Sequence, residues 1–132
     1  MKAFAIWFVG VAASFGVLSV ATDALTTTTR VVVAVDSSFP MTEVWRQVPG
    51  TLDRLDDRER AEFTLVTEKS AVHSWQLELA LGAVDAYAPC DFDEIESHPE
   101  IADADELILI TTDASCDPGS LSSDWEIITL NP

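Results

Sequence analysis

Two short segments hold the residues best suited to chemistry. Asp36, Ser37 and Ser38 follow the run Val31–Val35, and Thr112, Asp113 and Ser115 follow the run Leu107–Thr111. Carboxylates and hydroxyls together make an oxygen-only donor set, the kind that suits a hard cation such as Mg²⁺. The chemistry requires both groups at one place. Continuous apolar runs predict strands buried on both faces, as in parallel sheets covered by helices. Ligands of such sheets sit just beyond the carboxyl ends of the strands. Asp36 and Asp113 are therefore expected to meet at one rim.

The elements that must position them alternate along the chain. Thr26–Thr29 lacks periodicity and reads as a linker, placing the domain at residues 31–132. After the strand Val31–Val35, Phe39–Pro40 opens a helix, with Ser38 as its expected N-cap and Pro near its first positions. Met41, Val44, Trp45, Val48, Leu52 and Leu55 supply the apolar stripe at helical spacing. Pro49–Gly50 predicts a break, after which Thr51 caps a second short helix running to Arg60. Phe63–Thr67 is the second strand. Residues 71–78 fit two descriptions. Alternation makes them a strand, with Val72, Ser74, Gln76 and Glu78 on one side and His73, Trp75 and Leu77 on the other. They equally begin a helix through Leu81 that Gly82 ends. Residues 84–88 are then a strand or the last turns of that helix. Asp93–Ser97 predicts a short helix, Asp117–Ser120 a turn, and Trp125–Leu130 a closing strand. The fold class is α/β: a Rossmann-like three-layer sandwich with a mainly parallel sheet.

The amino terminus is set apart from this domain. Lys2 precedes an apolar stretch from Ala3 to Ala21, which ends in the small-x-small pattern Ser19-Val20-Ala21. That is the signature of a secretory signal peptide, here residues 1–21, and residues 22–30 form the linker. If retained, the same stretch is just long enough to anchor the chain in a bilayer. Either outcome places the domain in a secreted or periplasmic setting, with any membrane contact made only through this segment. Cys90 and Cys116 are an even pair in an oxidising compartment and predict a disulfide. Closing a loop of about 25 residues contributes on the order of 3 kcal/mol.

The formal charge is −16, and no Lys or Arg follows Lys69. Nucleic acid is excluded as a partner, because phosphate binding needs cationic neutralisation. Enzymatic motifs are absent: there is no Gly-x-Ser-x-Gly elbow, P-loop or His-Glu-x-x-His. His73 reads as a residue packed in or near the sheet and His98, before Pro99, as a surface turn. The acids Asp91, Asp93, Glu94 and Glu96 lack the glycine and spacing of an EF-hand loop. A catalytic role is not expected.

At Asp36-Ser-Ser-Phe-Pro-Met41 and Thr112-Asp-Ala-Ser115 the chain resembles a von Willebrand factor A (vWA) domain. In that family the first strand ends in Asp-x-Ser-x-Ser, a later strand ends in Thr-Asp-Gly, and a middle loop supplies a threonine. The resemblance implies a divalent cation, Mg²⁺ or else Mn²⁺ or Ca²⁺, held by Asp36, Ser38 and Asp113, with Ser37 and Thr112 as neighbours. It also implies a protein partner that presents a carboxylate to the cation. Three departures stand out: Pro40 replaces the second serine, Ala114 replaces the glycine, and no Gly-Gly-Thr-like segment is present.

A second resemblance points elsewhere. Leu79-Ala-Leu-Gly-Ala-Val-Asp-Ala-Tyr-Ala88 is similar to a helix-to-strand turn of periplasmic solute-binding proteins, and Val33–Pro40 is similar to the start of many of them. That likeness implies a single lobe that captures a phosphonate-type anion or an amino acid at Ser37, Ser38 and Asp85. The pairing of residues 71–78 separates the two. An antiparallel strand beside residues 63–67 favours the vWA-like module, and a helix ending at Gly82 favours the lobe.

Overall fold

The computed structural model describes residues 27–132. The expected signal peptide and the first residues of the linker lie outside this range. Five strands form one sheet: β1 (Thr29–Val35), β2 (Ala61–Val66), β3 (Ala71–Gln76), β4 (Glu106–Thr112) and β5 (Trp125–Leu130). Their spatial order is β3-β2-β1-β4-β5. β1 pairs in parallel with β2 and β4, and β4 pairs in parallel with β5. Only β3 runs antiparallel, against β2. The protein is thus α/β with a mostly parallel sheet, as the strand and helix signals predict.

Side chains alternate between the two faces of the central strands. On one face Val31, Val33, Val35, Phe63, Leu65, Ile108 and Ile110 pack against Met41, Val44, Val48, Leu52 and Leu55. On the other, Val32, Ala34, Val66 and Leu109 pack with Phe92, Ile95 and Trp125. Burial of both faces explains why β1 and β4 read as continuous apolar runs. It also fixes register, since a one-residue slip would exchange the two cores.

The segment after β1 differs from the expected helix. Two 3₁₀ turns, Phe39–Glu43 and Trp45–Gln47, precede α1 (Val48–Asp56). Pro49 and Gly50 therefore begin α1 rather than break it. A proline in the first turn forfeits no helical hydrogen bond, because that N–H has no intrahelical acceptor. Thr51 is not a cap; its hydroxyl donates to the Gln47 carbonyl at 3.1 Å. Nor does the Ser38 side chain cap the first turn. α1 ends at Asp56, short of Arg60, which takes a left-handed conformation (φ 60°) on entering β2.

β3 settles the ambiguity at residues 71–78 in favour of a strand, and Gly82 (φ +64°) sits in a turn rather than at a helix end. Residues 84–88 are neither strand nor helix, apart from one parallel bridge between Ala88 and Ser38. A single-turn helix, α2 (Asp93–Glu96), and a 3₁₀ turn at Pro99–Asp103 lead into β4. β1 begins at Thr29, two residues inside the stretch read as linker. His98 is not a free surface residue: it is half-buried, with its ring Nε2 2.9 Å from the Thr67 carbonyl oxygen.

Candidate functional site

The carboxyl ends of β1, β2 and β4 deliver six polar side chains to one cluster. Asp36 follows β1 directly, and its N–H donates to the Ile110 carbonyl at 2.9 Å, fixing it against β4. Its carboxylate is fully buried. Oδ1 accepts the Ser38 N–H at 2.9 Å, and Oδ2 accepts the Thr111 hydroxyl at 2.7 Å and the Ser115 hydroxyl at 2.5 Å. The Ser38 and Ser115 hydroxyl oxygens lie 3.0 Å apart. Asp36 Oδ2, Ser115 Oγ and Ser38 Oγ thus form a contiguous set of oxygens.

Glu68 is the member that sequence reasoning missed. It lies in the tight turn between β2 and β3, where Thr67 N–H donates to the Ser70 carbonyl at 2.9 Å, yet it is almost wholly buried. Both its carboxyl oxygens accept the Ser37 N–H at 3.0 Å, and Oε2 also accepts the Ser37 hydroxyl at 2.6 Å. Burial and the neighbouring Asp36 carboxylate push the Glu68 pKa up to about 7, against the opposing effect of the Ser37 hydrogen bonds. Burial also acts to raise Asp36, but its hydrogen bonds with Glu68, Ser115, Ser38 and Thr111 outweigh that and hold it below the ordinary value. Two crowded acids in a dry site cannot both ionise cheaply, so Asp36 carries the charge and Glu68 keeps the proton.

A strap covers the cluster. Tyr87 and Ala88 donate their N–H groups to the Ser37 carbonyl at 2.8 and 3.0 Å, and Phe39 N–H donates to the Ala88 carbonyl at 3.0 Å. Two residues on, Cys90 forms the predicted disulfide with Cys116, their Cα atoms 6.0 Å apart. Cys90 Sγ also lies 3.3 Å from the Ser115 hydroxyl. The disulfide therefore ties the strap to the β4–β5 connection that carries Ser115.

The predicted site residues separate into an inner and an outer group. Asp36, Ser37 and Ser38 are buried within the cluster, and Thr112 is buried at the end of β4. Asp113 follows β4 at the same rim, but it is exposed and makes no hydrogen bond to Asp36 or its neighbours. It lines an open depression of about 310 Å³ together with Ser115, Asp117, Ile127 and Thr129. Asp85 is exposed, two residues before the Tyr87 N–H that donates to the Ser37 carbonyl.

Among the described residues, no three His, Cys, Asp or Glu side chains gather closely enough to hold a metal ion by themselves. Hydroxyls could complete a donor set around a single carboxylate. Those of Ser38 and Ser115 fit that role beside Asp36. Comparison with protein-family models, with curated proteins and with solved structures gives no match to this chain.

Proposed function

We propose that the chain is an exported binding module with a vWA-like, three-layer architecture, which engages a protein partner at the carboxyl rim of its sheet. The observation that carries this reading is the convergence of the Asp36, Ser38 and Ser115 oxygens beyond two adjacent parallel strands. In this reading Asp36, Ser38 and Ser115 would hold a divalent cation, Mg²⁺ or else Mn²⁺ or Ca²⁺, and Asp113 lies at the mouth of the site. When bound, such an ion supplies a Lewis-acidic position open to a carboxylate oxygen of the partner. Thr111 and Ser38 N–H orient the Asp36 carboxylate. Glu68 holds the proton that keeps the second acid neutral, and the disulfide-tied strap fixes the Ser37 carbonyl.

The antiparallel placement of β3 supports the vWA-like reading over the solute-binding lobe, which calls for a helix at residues 71–81. The Cys90–Cys116 disulfide supports export, because such bonds persist in oxidising compartments. Among the described residues no helix is long and apolar enough to cross a membrane.

Calorimetric titration of Mg²⁺ and Mn²⁺ into the protein and into Ser115→Ala and Asp113→Ala tests the proposal. Saturable heat that is lost or weakened in Ser115→Ala is the expected result. No heat and no shift in melting temperature at millimolar metal would remove the cation from the reading. Stabilisation by a phosphonate or an amino acid, without any metal effect, would replace the module with the solute-binding lobe.

A further inference from the structure

We infer that the open edge of β5 and the groove beside it form a docking site for an extended, basic segment of a partner protein. β5 ends the sheet, and among the described residues no strand lies on its outer side. An edge of this kind presents backbone N–H and C=O groups that an incoming strand can take up. Beside it lies the depression of about 310 Å³, floored by Ile127 and Thr129 and bordered by Asp113, Asp117 and Pro118. Ile127 is 42 % exposed, a large apolar side chain left open to cover.

Charge identifies the occupant. Asp113, Asp117, Asp124 and Glu126 are all exposed around this edge, and none is in an ion pair among the described residues. No Lys or Arg follows Lys69 in the chain. Arg54 lines a separate hollow with Ile128, on the side of β5 that also carries Glu126 and opposite Ile127, Asp113 and Asp117. A second copy adding through its own β5 would set like charges against like, which disfavours self-pairing. In an added strand of alternating lysine or arginine and apolar residues, the apolar side chains meet Ile127 and Thr129, and the cations meet Glu126 on the opposite side of the strand. This surface rests on the reading of the chain as a binding module but needs no metal ion.

The test uses fluorescein-labelled (Lys-Val)₄, (Lys-Gly)₄ and (Glu-Val)₄ peptides, followed by anisotropy in EDTA at low salt, with amide hydrogen exchange on the complex. The expected result is saturable binding of (Lys-Val)₄, about tenfold or more tighter than (Lys-Gly)₄, whose charge is equal but whose strand propensity is poor. Amides of residues 126–130 should exchange more slowly in the complex. The Asp117→Asn/Glu126→Gln double variant should weaken binding about fivefold, as expected for two exposed charges. The fold should tolerate it, because a side-chain amide oxygen at position 117 can still accept the Gly119 N–H that Asp117 accepts through Oδ1. Equal affinity for (Lys-Gly)₄, unchanged exchange in β5, or no binding at all would overturn the inference. Binding of (Glu-Val)₄ in Mg²⁺ but not of (Lys-Val)₄ would also overturn it, while leaving the cation-dependent reading intact.

Discussion

The Ser115 hydroxyl donates to Asp36 Oδ2 at 2.5 Å, across 79 positions of sequence. This bond joins the end of β1 to the connection after β4 and forms the centre of the rim. Ser115 also touches Ser38 and Cys90, so one short side chain connects strand, strap and disulfide.

Removing Asp36 tests how far the cluster supports the fold. Asp36→Ala leaves the Ser38 N–H and the Thr111 and Ser115 hydroxyls without their acceptor in a dry site. Buried donors stranded in this way cost about 1–3 kcal/mol each before relaxation, so a total loss of about 2–4 kcal/mol is expected. Urea denaturation measures it. A change below about 0.5 kcal/mol would show that the cluster carries no structural weight.

The raised Glu68 pKa gives stability a pH dependence with a definite sign. Its folded value of about 7 exceeds the ordinary 4.5, so the folded state binds this proton more tightly than the unfolded chain. The contribution is complete below about pH 4.5 and is lost as pH rises through 7. Asp36 acts oppositely: its pKa is lowered, so its contribution is present above 3.8 and lost at lower pH. Melting temperature should therefore fall from about pH 5.5 to about pH 8.5, by the equivalent of about 2–3 kcal/mol. Glu68→Gln should flatten that profile. A rise over the same interval would refute the assignment.

Replacing both cysteines with serine should lower stability by about 3 kcal/mol, the entropy of an unclosed loop of this size. The loss should be uneven. Amides of Phe39 and Ala88, which hold the strap onto the extension of β1, should gain exchange rate more than those of the central strands. Uniform acceleration would mean that the disulfide acts only on the unfolded chain.

Phe63, fully buried on β2 against the α1 face, is the largest wholly enclosed side chain among the described residues. Phe63→Ala should cost about 3–5 kcal/mol through lost burial and the cavity left behind. Chemical denaturation gives the value directly. A cost under about 1 kcal/mol would mean that the helix-covered face repacks freely.

Much of the sheet is legible in the sequence, because β1, β4 and β5 are β-branched runs bounded by turn residues. Cys90 and Cys116 form the bond that their even number predicts. Residues 71–78 are undecidable locally, since His73, Trp75 and Leu77 suit both a strand face and a helix start; pairing with β2 makes the choice. Pro49 misleads because proline breaks a helix only in its interior, and here it falls in the first turn. Glu68 is hidden most deeply. Flanked by Thr67, Lys69 and Ser70, it has the look of a solvated turn, and only the adjacency of β1 and β2 carries it inward. Its one signal is topological: it follows the strand expected to neighbour the one ending in Asp36.

The parallel pairing of β1 with β4 also sets a timetable. No hairpin can join two such strands, and their registered residues, such as Val31 and Glu106, lie far apart in the chain. Contacts of that span form late and slowly as a chain folds. A nascent chain that has not yet emerged as far as Ser115 still has Asp36 but lacks the hydroxyls that accommodate its charge. The cluster around Asp36 therefore closes only after β4 and the connection that carries Ser115 have joined the sheet.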